Sequence, residues 1–196
     1  MTKNRLEAFS DGVLAIIITI MVLELKVPHG VELADLVPLV PVFLSYLLSF
    51  IYLGIYWNNH HHLFQAARVV RGGTLWANLH LLFWLSLIPF GTAWMGENHF
   101  ARFPVALYGL LLLCCATAYT ILVRVMLGHH EADSVLARAI GDDRKGNVSL
   151  AIYVASVAAA FVQPLVACAG YILVAIIWLV PDQRIERVLP PEPGRG

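Results

Sequence analysis

Charge is scarce in this sequence. Of 196 residues only 13% are Asp, Glu, Lys or Arg, while 59% are hydrophobic and mean hydropathy is +0.74; soluble domains carry about 25% charged residues. A soluble fold of this length hides roughly 70% of its surface and still needs a polar skin, which this chain does not supply. Lipid is therefore the expected solvent for most of it. The 13 basic and 13 acidic side chains cancel, and no basic run or basic-aromatic stripe occurs, which argues against nucleic acid as a partner. Cysteine is nearly absent too. Cys114, Cys115 and Cys168 lie inside apolar stretches, without the even count and spacing of a disulfide framework or of a zinc knot, and read as small core residues. The sequence also has no Gly-x-Ser-x-Gly, no P-loop, no Gly-rich dinucleotide turn, no His-Glu-x-x-His and no pair of intramembrane aspartates, so no enzyme is expected. The first apolar run contains Glu7, Asp11 and Glu24 and ends without a small-residue cleavage site, so it is expected to stay in the mature protein rather than act as a signal peptide.

What is present is a series of long apolar runs. A helix needs about 20 apolar residues to cross ~30 Å of hydrocarbon. Such stretches predict helices over 6–27, 39–64, 74–95 and 104–127, with Pro28 and Gly30 closing the first and Pro104 in the first turn of the fourth. The last apolar block, 148–180, is too long for one ordinary span, and Gln163-Pro164 interrupts it. Two short helices, 148–162 and 164–180, fit better. The expectation is an all-α membrane protein whose six-helix unit occupies 1–181, with a cytoplasmic tail over 182–196. Alternating the loops between two sides places Lys3, Arg5, Arg68, Arg71, Arg124, Arg138, Arg144, Lys145, Arg184, Arg187 and Arg195 together and only Lys26 and Arg102 opposite. The positive-inside rule then puts both termini in the cytoplasm, with the polar stretch His129 to Asn147 as a cytoplasmic loop.

Polar groups inside a span cost several kcal/mol unless they find partners. The first predicted helix opens with Arg5 and Phe9-Ser10-Asp11. At ~100° per residue, Ile16, Thr19, Ile20 and Leu23 form one narrow stripe, extended by Gly12 and Val27. Such a stripe packs on a neighbouring helix unless something else claims it. The second helix carries Trp57, Asn58, Asn59, His60, His61 and His62 near the depth of Asp11, and the third offers Asn78 and His80 at a similar depth. A cross-helix network is the natural reading, with Asp11 accepting from an indole, imidazole or amide. Arg5 and Asp11 lie about 240° apart around the helix, so they are expected to clamp it from two sides. Three consecutive histidines point in three directions, which disfavours a metal site. Haem between His60 or His61 and His80 is one alternative, and a secondary ion transporter is another, although the inverted repeats and broken helices of transporters are missing. Glu24 either lines an outer vestibule or pairs with Lys26 or Arg102.

Arg5-x-x-x-Phe9-Ser10-Asp11 at the start of the first span, Trp57-x-x-His60-His61 in the second, and Asn78 followed by Leu87-Ile88-Pro89-Phe90 in the third resemble the endosomal/lysosomal potassium channel family, also called the transmembrane protein 175 family. The resemblance implies a channel that conducts potassium in preference to sodium without a Thr-Val-Gly-Tyr-Gly filter, a sequence absent here. It implies one repeat of the bacterial type in a bacterial plasma membrane, assembled as a homotetramer, with no cofactor beyond the permeant potassium ion. It further implies that the first helix lines a central pore. Ile16, Ile20 and Leu23 would then form the constriction, Thr19 a polar ring beside it, and Glu24 an outer vestibule that raises local cation concentration. Arg5, Phe9, Ser10, Asp11, Trp57, His60, His61 and Asn78 would hold the pore helix in register. Protonation of His60 or His61, whose ordinary titration lies near 6.5, would make gating respond to cytoplasmic pH.

Overall fold

The computed structural model describes residues 2–67, 70–128 and 144–179. Among these residues every regular element is helical. The order is α1 (Lys3–Leu23), a 3₁₀ arm (Leu33–Leu39), α2 (Val40–Ala66), α3 (Gly72–Ser86), α4 (Ile88–Glu97), α5 (Arg102–Leu127), α6 (Arg144–Ala160) and α7 (Pro164–Leu179). Among the described residues four stretches are long and apolar enough to cross a membrane: Lys3–Leu23, Leu33–Ala66, Gly72–Glu97 and Arg102–Leu127; Pro164–Leu179 is a shorter apolar helix. The expected tail over 182–196, most of the loop His129 to Asn147, and the basic residues Arg68, Arg138, Arg184, Arg187 and Arg195 lie outside the described residues.

Proline and turn chemistry set the boundaries. The expected third helix is a bent pair, α3 and α4, joined at Leu87. Pro89 has no N–H for the carbonyl of Leu85 and its ring crowds that carbonyl, so the ladder breaks there. The chain leaves α1 at Glu24, short of the predicted Val27, because the residue before Pro28 is driven out of the α region and Lys26 reaches across to Glu97. Between α4 and α5, His99 and Phe100 adopt left-handed φ of 48° and 57°. The Phe100 N–H bonds the Met95 carbonyl and the His99 N–H bonds that of Gly96, which is a Schellman close with histidine where glycine is commonest.

The core is a helical bundle in which α5 contacts α3, α4, α6 and α7, while α2 contacts α4 and α7 and α1 packs along α2, α3 and α4. Small residues allow close approach: a Cβ on Gly96 would lie 2.7 Å from the Cα of Val42, so α4 and α2 meet backbone to backbone there. Buried polar side chains are spent on one another. The Ser49 hydroxyl bonds those of Thr92 (2.6 Å) and Tyr108 (2.9 Å), Tyr171 donates to the Val105 carbonyl (3.1 Å) and Tyr153 to the Tyr52 hydroxyl (3.2 Å). Among the described residues no fully buried side-chain nitrogen or oxygen is left without a partner. Where no water is at hand, an unmade bond costs the full desolvation of the group.

Candidate functional site: the first helix and its grip

One face of α1 is buried, carrying Leu6, Ser10, Leu14, Ile17 and Met21. Their spacing of three and four residues is one stripe of a helix, and it is this stripe that lies against the chain's own bundle. Ile16, Ile20 and Leu23 point the other way, 58%, 42% and 80% exposed, and Thr19 is exposed beside them. Among the described residues no helix covers the predicted stripe, so packing against the described helices does not account for it. The Thr19 hydroxyl donates to the Ile16 carbonyl (2.9 Å), which leaves its oxygen lone pairs free to accept.

The N-terminal half of α1 is held by directional bonds. Trp57 Nε1 donates to Asp11 Oδ1 (3.1 Å), and the Trp57 ring stacks on His61 at 6.2 Å between centroids. Deeper in, His60, Asn78 and Ser10 form a chain that runs in one direction. The Ser10 hydroxyl donates to Leu6 O (2.9 Å), so its oxygen accepts from Asn78 Nδ2 (2.9 Å), and Asn78 Oδ1 in turn meets His60 Nε2 (2.8 Å). The Asn78 oxygen can only accept, so Nε2 carries the proton and the histidine tautomer is fixed. All three residues are buried. The network joins α1, α2 and α3 through six of the eight residues expected to hold the helix: Ser10, Asp11, Trp57, His60, His61 and Asn78.

Arg5 and Phe9 are not in this network. Both are exposed, and on the helical wheel they share the side of Ile16, Ile20 and Leu23. Arg5 makes no hydrogen bond or ion pair with a described residue; the second grip is made by Lys3, whose Nζ bonds the carbonyls of Phe64 (2.9 Å) and Ala67 (3.4 Å). The reason is positional. A cation beside the last turn of α2 gives the terminal Ala67 carbonyl a partner, adds a second bond to the Phe64 carbonyl that already accepts from the Ala67 N–H, and meets the negative end of the helix dipole. Sequence reasoning missed Lys3, although a lysine facing the end of a neighbouring helix is a recognisable signal.

At the other end Lys26 pairs with Glu97 at 2.6 Å, rather than with Glu24 as one sequence reading had it. The carboxylate raises the Lys26 pKa above its usual 10.5, chiefly through the hydrogen bond and then through its charge. Glu24 is exposed, without an ion pair to a described residue, and edges a shallow groove shared by Ile16 and Ile20 of α1 and Pro89 and Phe90 of α4. Haem ligation finds no support: His60 Nε2 is taken by Asn78, and His80 Nε2 accepts from Trp84 Nε1 (2.9 Å).

Residues 5–89 match the family model described as endosomal/lysosomal potassium channel TMEM175, a stretch that runs from the Arg5 motif to the Pro89 bend. A potassium channel of Chryseobacterium sp. (strain P1-3) is 59% identical over 189 residues, covering 96% of this chain and 98% of the relative. A potassium channel of Chamaesiphon minutus is 38% identical over 145 residues, 69% of this chain and 70% of its own. A crystal structure described as a lysosomal potassium-selective channel TMEM175 homolog from Chamaesiphon minutus superposes with a TM-score of 0.78 at 28% identity, covering 92% of this chain and 97% of that one. The chain is a helical membrane protein that belongs to the endosomal/lysosomal potassium channel TMEM175 family.

Proposed function

We propose that this protein is a potassium-selective cation channel whose pore is lined by α1 in a homotetramer. The observation that carries the reading is the division of α1 into two faces. One is buried in the chain's own bundle, and the other presents Ile16, Ile20 and Leu23 outward from a helix gripped by polar bonds at one end. One helix cannot enclose a channel, so the outward face requires copies around an axis, and a closed symmetric ring is the simplest assembly. The names and structure of the relatives support potassium as the permeant ion.

In this reading each subunit has six spans: α1, α2, the bent pair α3 and α4, α5, α6 and α7. The distribution of Lys and Arg supports cytoplasmic termini and a plasma-membrane protein with Lys26, Glu24 and Glu97 outside. The aliphatic ring of Ile16, Ile20 and Leu23 excludes water when narrow and gates by dewetting. Beside it, the Thr19 oxygens, their protons turned back to the Ile16 carbonyls, replace part of an ion's hydration shell. Selectivity then follows from the lower cost of stripping water from potassium than from sodium. Glu24 concentrates cations at the outer mouth.

Flux from purified protein in liposomes, under a potassium gradient beside a sodium gradient, tests the reading. Faster potassium than sodium flux, with a changed rate in Ile16→Asn and a changed ratio in Thr19→Ala, is the expected result. Absence of flux of either ion at any voltage would overturn it, and an unchanged ratio in Thr19→Ala would remove Thr19 from selectivity.

A further inference from the structure

Away from α1, a cavity of about 40 Å³ lies where α2, α5, α6 and α7 meet, lined among others by Tyr56, Asn59, Ala116, Tyr119, Ser149 and Trp178. The polar groups around it are mostly spent. Tyr119 donates to the Asn59 carbonyl (3.2 Å), Asn59 Nδ2 to the Ile55 carbonyl (2.8 Å), and Ser149 to the Lys145 carbonyl (2.8 Å) while accepting from Trp178 Nε1 (2.8 Å). The Tyr56 hydroxyl and the Asn59 side-chain oxygen are the exceptions. Only 9% of Tyr56 is exposed, it lines the cavity, and its hydroxyl makes no hydrogen bond to a described residue, although its ring packs edge-on against Tyr119.

Since no fully buried side-chain oxygen among the described residues lacks a partner, the unbonded Tyr56 hydroxyl opens on the cavity, and a polar group left dry there costs as much as an unmade hydrogen bond. We propose that the cavity is a hydration site holding one to three ordered waters, with Tyr56 and the free Asn59 side-chain oxygen as their principal partners. The size fits: a water needs roughly 10–15 Å³ of such volume, and it needs two to four polar neighbours. Place gives the site a consequence. Tyr56 and Asn59 sit directly beside Trp57 and His60 on α2, so the turn that grips α1 on one side rests on water on the other. Bridging waters would tie that turn to α5 and α6 as direct hydrogen bonds do.

The sign of two substitutions decides between a wet and an empty cavity. In a wet one, Tyr56→Phe strands the water, and Ala116→Val expels it without replacing its bonds, so both lower the melting temperature by roughly 2–6 °C. In an empty one, Tyr56→Phe removes an unpaired polar group and Ala116→Val fills a void, so both leave the melting temperature unchanged or raise it, which would overturn the proposal. Because the aromatic ring is kept, Tyr56→Phe is expected to fold. Solid-state NMR magnetisation transfer from water to the Tyr56 side chain in bilayers is the second readout. Transfer that is lost in Tyr56→Phe supports the site; its absence in the natural sequence refutes it.

Discussion

The two halves of α1 are held by different physics. From Lys3 to Asp11 the helix is fixed by hydrogen bonds of set direction, through Lys3 to the end of α2, Ser10 to Asn78 and Asp11 to Trp57. From Gly12 to Leu23 its buried face, Leu14, Ile17 and Met21, is held almost wholly by apolar packing, with one long Thr92 to Met21 sulfur contact at 4.0 Å and the Lys26 to Glu97 pair just past the end. Directional bonds specify one register and are lost abruptly when geometry changes. Dispersion contacts are individually small and can be exchanged for others. The proposed constriction therefore sits in the half that can rearrange cheaply, and the anchor sits in the half that cannot.

The largest effect is expected from Asn78→Leu, which breaks the anchored half. It strands the His60 N–H and the Ser10 oxygen together in a buried position, at roughly 1–3 kcal/mol for each unmade bond. A melting temperature lower by about 5–15 °C, read by size-exclusion of heated detergent-solubilised protein, would confirm that the anchor is energetic as well as geometric. A shift under 2 °C would mean that the two halves do not differ in the way described.

Ile20→Asn tests the other half. Its side chain is 42% exposed and belongs to no bond network, so melting is expected to move by less than about 2 °C, within the range of exposed substitutions. Flux is expected to rise about tenfold or more, since a polar ring holds water in a constriction that aliphatic groups keep dry. Asp11→Asn gives an intermediate case. The amide oxygen still accepts from Trp57, but the charge-assisted part of the bond is lost, at about 1 kcal/mol, so current-voltage recordings should show open probability shifted about fivefold with the potassium-to-sodium ratio unchanged.

A cross-helix network around Asp11, the helix-two Trp57–His62 cluster and Asn78 was legible in the sequence because polar residues inside apolar runs must find one another, but depth left open whether Asp11 takes the indole, an imidazole or an amide, and the His60–Asn78–Ser10 chain came only with the structure. The stripe of Ile16, Ile20 and Leu23 was legible from helical angle, but its exposure was not, since angle does not say which face the bundle takes. Lys3 lies ahead of the predicted first span, and its partners are backbone carbonyls 61 and 64 positions away, which carry no residue-type signal of their own. The bend at Pro89 was visible as a proline within an apolar run, yet that run was long enough to pass for one helix. The tyrosine and serine bonds among α2, α4, α5, α6 and α7 join residues 29 to 119 positions apart, and no local pattern predicts which hydroxyl meets which.

The smallest effect concerns the tie beyond the end of α1. Lys26 has a folded-state pKa raised above 10.5 by Glu97, so its contribution to stability is fully present below pH 10.5 and is lost as pH rises through the raised value. Both partners are largely exposed, so the pair is screened by salt and its worth is small. Melting temperature measured across pH 9 to 12 is therefore expected to fall slightly less steeply in Lys26→Gln than in the natural protein, with Glu97→Gln behaving as Lys26→Gln does and 1 M salt removing the difference. Fourfold symmetry would make the same small term visible in gating, because four pairs that form in one state and not in the other add their free energies in a concerted transition. If single-channel open probability is unaltered in both variants while the alkaline melting difference is present, the tie persists unchanged when the pore opens, and the moving part of α1 ends before Lys26.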